Sequence, residues 1–231
     1  MGELFNTNSE DLLRRRINPT SLRICQKIGW LFLRPILKFF IHYRFLSNCD
    51  IKDLQSPLIL VSNHLSYLDP PILGTVLPFG SPVYPVYFIT KDTLMTTPVL
   101  GGFLKVLGAL RAWRGEGLKK SLEAPKEVLQ NSCSIVFFPQ GKRYPFEEFK
   151  LEQGRPGAAF LALETGKPIL PAAILGLANF SWKNFFLRRY RVKVIIGQPF
   201  LLAEKLAQNY TPQNIEVGTQ IIMREIQKLM Q

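Results

Sequence analysis

Pro57-Leu58-Ile59-Leu60-Val61-Ser62-Asn63-His64-Leu65-Ser66-Tyr67-Leu68-Asp69-Pro70-Pro71 is an apolar run that stops on polar residues and then on a double proline. Its first six residues have the length and branched-chain content of a buried strand. Asp69-Pro70 then reads as a helix start, with the carboxylate as cap and proline at the first helical position. The same alternation recurs downstream. Further strands are predicted at 83–89, 109–113, 134–138, 169–175 and 191–196, with helical stretches near 70–77, 98–107, 116–130 and 155–165. Thr211-Pro212 announces a last helix, which carries Ile215, Thr219, Ile222, Ile226 and Leu229 on one face. Strands interleaved with helices specify an α/β sheet. In such sheets chemistry gathers beyond the carboxyl ends of the strands.

Two of those ends are unusual. After 57–62 comes His64, one of only two histidines in the chain, with Asp69 five residues later. On a regular helix that spacing puts the two about 140° apart, so they meet only if the chain turns between them. A carboxylate facing the imidazole fixes its tautomer and stabilises the imidazolium, which then takes a proton from an attacking hydroxyl. Taken alone, the pair is equally a loop histidine beside a helix cap. Neither Ser66 nor Cys133 has the surroundings of a nucleophile, so direct attack by a bound alcohol is the economical chemistry.

The second end is Pro139-Gln140-Gly141-Lys142-Arg143-Tyr144, a tight turn bearing two cations. Arg143 can grip a phosphate bidentately and Lys142 as a point charge, while Gly141 lets backbone N–H groups approach the anion. Lys91, Arg111 and Arg114 add charge at comparable strand ends. Any one of these alone is also an ordinary solvated cation.

The 231 residues, 47% of them hydrophobic, suffice for one domain with a real core. Lys and Arg number 29 against 17 Asp and Glu, a net charge of +12, so the partner is anionic: nucleic acid, membrane phosphate or a phosphorylated substrate. The three cysteines, Cys25, Cys49 and Cys133, have no metal-ligand spacing, which argues against a disulfide scaffold or a zinc site and for a reducing compartment. Nucleic acid is set aside because no zinc-finger pattern, RNA-binding aromatic motif or basic recognition helix is present.

Met1 to Asn18 lacks the apolar core of a secretory signal. Residues 28–46 form the most hydrophobic long stretch, yet Arg34, Lys38, His42 and Arg44 within it disfavour a transmembrane helix. On an ideal helix Arg23, Lys27, Arg34 and Lys38 share a stripe about 60° wide, with Trp30, Leu31, Leu33, Leu37, Phe40 and Ile41 on the rest of the surface. Such a helix lies in a lipid headgroup layer or packs on a core with a basic edge. A second stretch, Phe180 to Lys193, passes from aromatic to basic and reads as a headgroup boundary or as a basic strand edge.

NHLSYLD at 63–69 resembles the NHx4D block of the glycerophospholipid acyltransferase family, typified by bacterial 1-acyl-glycerol-3-phosphate acyltransferases. GALRAWR at 108–114 is similar to that family's G-x5-R block, FPQGKRY at 138–144 resembles its FPEGTRS block, and ILPAAILG at 169–176 has its central proline in Pro171. Four blocks in order over about residues 57–176 are specific together, although each is weak alone.

The resemblance implies a mixed, mostly parallel α/β sheet flanked by helices, of the glycerol-3-phosphate acyltransferase type. A membrane-interface helical element would occupy residues 1–48 and the acyltransferase domain residues 49–231. It implies acyl transfer from a thioester of coenzyme A or acyl carrier protein to the hydroxyl of a lysophospholipid, with His64 as base and Asp69 its partner. No permanently bound cofactor is implied, and no metal. Asn63, Lys91, Arg114, Gln140, Gly141, Lys142 and Arg143 are the candidate substrate-binding residues. An anionic membrane surface is the expected partner, at its cytoplasmic face and without a span. The family's acid in the third block is Gln140 here, its threonine Lys142 and its serine Tyr144, a departure that leaves a changed acceptor or a non-catalytic lipid-binding role open.

Overall fold

The computed structural model describes residues 18–90, 92–111, 117–144, 154–206 and 211–231. Seven strands, β1 (His42–Ser47), β2 (Ile59–Ser62), β3 (Val86–Thr90), β4 (Ala109–Arg111), β5 (Ser134–Phe137), β6 (Ile169–Leu175) and β7 (Arg191–Ile196), form one sheet in the order β1-β7-β6-β2-β5-β3-β4. Every pairing is parallel except β6 with β7. β2 sits centrally with all four residues buried, as expected of a strand covered on both faces.

Two cores flank the sheet. Leu60, Ala172, Ile174, Val192 and Val194 face one of them, together with α1 (Pro19–Phe40) and α2 (Asp69–Val76). Ile59, Val61, Ile135 and Ile169 face the other, beneath α4 (Glu123–Gln130), α5 (Gly157–Thr165) and α7 (Pro212–Met230). The alternation of Ile59, Leu60 and Val61 between the two cores is the period-two pleat of a strand. Helices α3 (Leu100–Val106) and α6 (Trp182–Phe186) and three one-turn helices complete the fold.

Helix α1 starts where Asn18 Oδ1 accepts the N–H groups of Thr20 and Ser21, both at 3.1 Å, with Pro19 in the first turn. It stops at Phe40. Residues 42–47, assigned from the sequence to the helical element 1–48, instead form β1 and pair with β7. Within HYRFLS the exposed His42, Arg44 and Leu46 alternate with half-buried Tyr43 and Phe45. That change of period was hidden inside one hydrophobic stretch.

The helix has three faces rather than two. Leu22, Gln26 and Leu37 are buried, and Gln26 bridges Val86 N–H, at 3.1 Å from Oε1, to Leu107 C=O, at 3.1 Å from Nε2. Trp30 Nε1 donates to Leu77 O at 3.0 Å. Ile24, Ile28, Leu31, Phe32, Ile36 and Phe39 are all exposed, Phe32 at 68%. The cations lie between the two apolar faces, with Arg34 over the Trp30 ring at 4.5 Å. Among the described residues no helix is long and apolar enough to cross a membrane.

Candidate active site

His64 and Asp69 meet. The chain leaves β2 at Ser62 and turns within Asn63–Leu68, so that His64 Nδ1 lies 2.7 Å from Asp69 Oδ2. The carboxylate has no solvent exposure, while the histidine side chain keeps 18%. Asp69 also accepts N–H of Leu65 at 2.6 Å and of Ser66 at 2.8 Å, and the Ser66 hydroxyl at 3.0 Å. Four donors on one buried carboxylate hold it immobile. The Nδ1–H is thereby directed at Asp69, which leaves Nε2 as the basic edge.

The cap expectation needs correction. Leu68 occupies the N-cap position and Asp69 is the first residue of α2, followed by Pro70 and Pro71. Prolines supply no N–H for a cap to accept. The carboxylate instead turns back onto the loop N–H groups, which is what frames the imidazole.

The turn after β5 clamps the same loop. Gln140 Oε1 accepts the His64 backbone N–H at 3.0 Å, and Tyr144 N–H donates to His64 O at 2.8 Å. The Phe138 ring stacks on the imidazole, with centroids 4.2 Å apart at 21°. Gln140 is 6% exposed, and its carbonyl holds the histidine in place instead of reaching outward. An amide oxygen accepts an N–H as a carboxylate does, without the charge, so this substitution keeps the clamp.

Other expected binding residues divide. Asn63, 1% exposed, spends its amide on β6: Nδ2 donates to Ile174 O at 2.7 Å, and Oδ1 accepts Ile174 N–H at 2.8 Å. Its placement corrects the expectation of substrate contact, because it ties β2 to β6 instead. Gly141 N–H donates to Phe138 O at 2.9 Å inside the turn, so this N–H is not offered to an anion. Gly141 has φ +67°, and a Cβ there would collide with the Arg155 side chain. The left-handed backbone favours glycine there, and any larger residue would also displace the Arg155 side chain.

Lys142 and Arg143 are exposed. Arg143 lies over the Tyr67 ring at 3.5 Å and Lys142 over Tyr144 at 4.8 Å. Lys91 and Arg114 fall outside the described residues. Tyr67, Phe138 and Arg155 escaped the sequence reading. Arg155 reaches the turn from the start of α5, its N–H bonded to Pro139 O at 2.6 Å, and nothing in the local sequence signals this approach.

Cys133 is fully buried and burial pushes its thiol up to about 11, which makes it inert as a nucleophile. Among the described residues no three His, Cys, Asp or Glu side chains converge as a metal ion would need. The arrangement is a base with a fixed tautomer, open at one edge, beside a turn that carries cations.

Known proteins resemble the chain in sequence and in fold. The chain is 28% identical to chloroplastic 1-acyl-sn-glycerol-3-phosphate acyltransferase BAT2 of Brassica napus over 154 residues, 65% of this chain and 42% of that protein. It is 29% identical to lyso-ornithine lipid O-acyltransferase of Pseudomonas aeruginosa over 121 residues, 52% of this chain and 43% of that one. The aligned region thus spans about two fifths of the length of these relatives. In structure the protein is similar to the 1-acyl-sn-glycerophosphate acyltransferase PlsC of Thermotoga maritima, with a TM-score of 0.60 at 20% identity over 90% of this chain and 79% of that one. A family profile described as Acyltransferase matches residues 43–175, more than half of the sequence and inclusive of β2, the His64 loop and the basic turn, and the chain therefore belongs to the acyltransferase family.

Proposed function

We propose that the protein transfers a fatty acyl group from a thioester, on coenzyme A or acyl carrier protein, to the free hydroxyl of a lysophospholipid. The acceptor is 1-acyl-sn-glycerol-3-phosphate and the product phosphatidic acid. The observation that carries the reading is the 2.7 Å contact between His64 Nδ1 and a fully buried Asp69. The acceptor oxygen attacks the thioester carbonyl as its proton passes to Nε2, and Asp69 stabilises the imidazolium so formed. The tetrahedral intermediate collapses with loss of the C–S bond. The proton on Nε2 goes to the departing thiolate, leaving an ester, a free thiol and a regenerated imidazole. Lys142 and Arg143 meet the acceptor phosphate, the charge that a basic turn selects.

Relatives named as acylglycerol-phosphate acyltransferases support this acceptor. The neutral Gln140, with the lyso-ornithine lipid acyltransferase among the relatives, favours a second reading in which another lipid alcohol is acylated by the same chemistry. The exposed apolar face of α1 supports work at a lipid surface, with the protein peripheral or monotopic on the cytoplasmic face of its membrane.

The test is product analysis by mass spectrometry, using pure protein, both thioester donors and a panel of lysolipids. Formation of phosphatidic acid that falls about 10²- to 10⁴-fold in His64→Ala is expected. Turnover by His64→Ala at the normal rate contradicts the mechanism, and no His64-dependent product from any acceptor would leave only a lipid-binding role.

A further inference from the structure

The β1–β7 end of the sheet carries cations that the active site does not use. His42 pairs with Arg191 and Arg44 with Lys193 in the parallel register. All four are exposed. Their neighbours Tyr43, Phe45, Val192 and Val194 pack into the core on the α1 side, so strand alternation turns these four onto the opposite face. Arg44 and Lys193, like charges directly across the ladder, repel one another. Among the described residues none of them is paired with a carboxylate, and neither is Lys38 nor Arg188.

Protection of a sheet edge accounts for cations on β1, but β7 is an interior strand, with β1 on one side and β6 on the other. Its Arg191 and Lys193 need another reason. Together with Lys38, His42, Arg44 and Arg188 they line an open groove of about 1150 Å³.

Position supplies that reason. β6 runs parallel to β2, with Ser62 opposite Ala172, and β7 runs back along β6, with Leu175 opposite Lys193. Arg191 and Lys193 therefore lie at the end of the sheet that bears His64. At about 4.8 Å between strands, β7 is on the order of 10 Å to the side of β2. The groove also continues the exposed apolar surface. Arg188 covers the Phe39 ring at 4.7 Å, Phe40 contacts Phe186 at 5.5 Å, and Phe186 stacks with Trp182 at 6.2 Å. Phe39, Trp182, Phe186 and Leu187 are more than half exposed. An acidic soluble protein would match the cations alone, whereas aromatic rings passing into cations match the boundary between acyl chains and phosphates.

We propose that the open face of β1 and β7 binds the headgroup phosphates of an anionic bilayer, a contact separate from the apolar face of α1, which sets the active-site edge of the sheet against the lipid surface. The inference rests on the reading that the enzyme works at a bilayer.

The experiment compares wild type, an Arg44→Gln/Arg191→Gln/Lys193→Gln variant and a Leu31→Ser/Phe32→Ser variant. Each is sedimented with vesicles of phosphatidylcholine alone and of phosphatidylcholine mixed with phosphatidylglycerol. Neutralising the three cations lowers affinity for the mixed vesicles about fivefold per cation, on the order of a hundredfold together, and leaves affinity for neutral vesicles unchanged. The apolar-face variant weakens binding to both. Acyl transfer to detergent-dispersed acceptor stays at the wild-type rate in the cation variant, which also verifies its fold.

Equal binding of wild type and the cation variant to mixed vesicles overturns the proposal and leaves the surface reading intact. Failure of wild type to bind either vesicle overturns both. Loss of transfer from acyl carrier protein alone, with vesicle binding intact, assigns the groove to an acidic protein and overturns the lipid assignment. Wild type alone supplies a further check: binding to mixed vesicles weakens steeply between about 50 and about 200 mM salt while binding to neutral ones does not, and indifference to salt contradicts the proposal.

Discussion

The loop from Asn63 to Asp69 and the turn from Phe138 to Tyr144 lie against each other and are built on opposite principles. In the loop the polar groups at its heart are partnered and buried: Asn63 on Ile174, and Asp69 on His64, Leu65 and Ser66. The imidazole edge and the Tyr67 ring are what this loop presents to solvent. In the turn, Gln140 and the backbone are tied down, yet Lys142 and Arg143 reach outward with aromatic rings beneath them and no carboxylate partner among the described residues. A rigid base has one geometry and one chemistry. Cations on an exposed turn are spare charge that an anionic ligand can complete. Under the proposed function the loop carries the reaction and the turn the choice of acceptor, so substitutions in the two should fail in different ways.

The largest failure is expected from Asp69→Asn. The shape is kept but the tautomer is no longer fixed, so kcat falls about 10³- to 10⁴-fold with little change in KM, as steady-state kinetics measure. Arg143→Ala comes next and behaves in reverse. KM for a phosphate-bearing acceptor rises by roughly tenfold or more while kcat holds, and Arg143→Lys recovers part of the loss because its charge remains without the fork. Equal effects on kcat and KM in both variants would erase the distinction between loop and turn.

Gln140 sharpens the comparison, since it belongs to the turn but serves the loop. Gln140→Leu leaves the His64 N–H unsatisfied and costs about 1–3 kcal/mol of stability, read by denaturant unfolding. Gln140→Glu keeps the acceptor oxygen and the fold, and its effect shows in which lysolipid is preferred.

The smallest effect lies outside both regions. Burial raises the Cys133 thiol from 9.0 to about 11, so between those values the unfolded chain releases a proton that the folded chain keeps. The stability contributed by the neutral thiol is complete below about pH 9 and is lost as pH rises toward about 11. Unfolding followed across that window shows the decline, and Cys133→Ala removes this component of it.

Much of the α/β framework was legible because strands such as 134–137 and 169–175 are continuous apolar runs bounded by turn residues. The His64–Asp69 pair was legible because both partners lie within one local turn. β1 was not, since HYRFLS follows an apolar helix with no break in hydrophobicity, and only its pairing with β7, about 150 residues later, reveals it. The roles of Asn63 and Gln140 were hidden for the same reason. Each side chain is spent on a backbone brought to it by strand order, Asn63 on Ile174 and Gln140 on His64. A polar residue beside a candidate catalytic histidine reads as a ligand contact until burial shows otherwise. Arg155 approaches Gly141 from beyond residues 145–153, a proximity that no local pattern encodes.

The most direct test of the central claim is a double-mutant cycle on acyl transfer by His64→Ala, Asp69→Asn and the two combined, measured with one thioester and one lysolipid under saturating conditions. If carboxylate and imidazole act as one base, the double variant is no slower than His64→Ala alone, because Asp69 has nothing left to hold. Losses that multiply, or a His64→Ala protein that still turns over at the wild-type rate, would contradict the account.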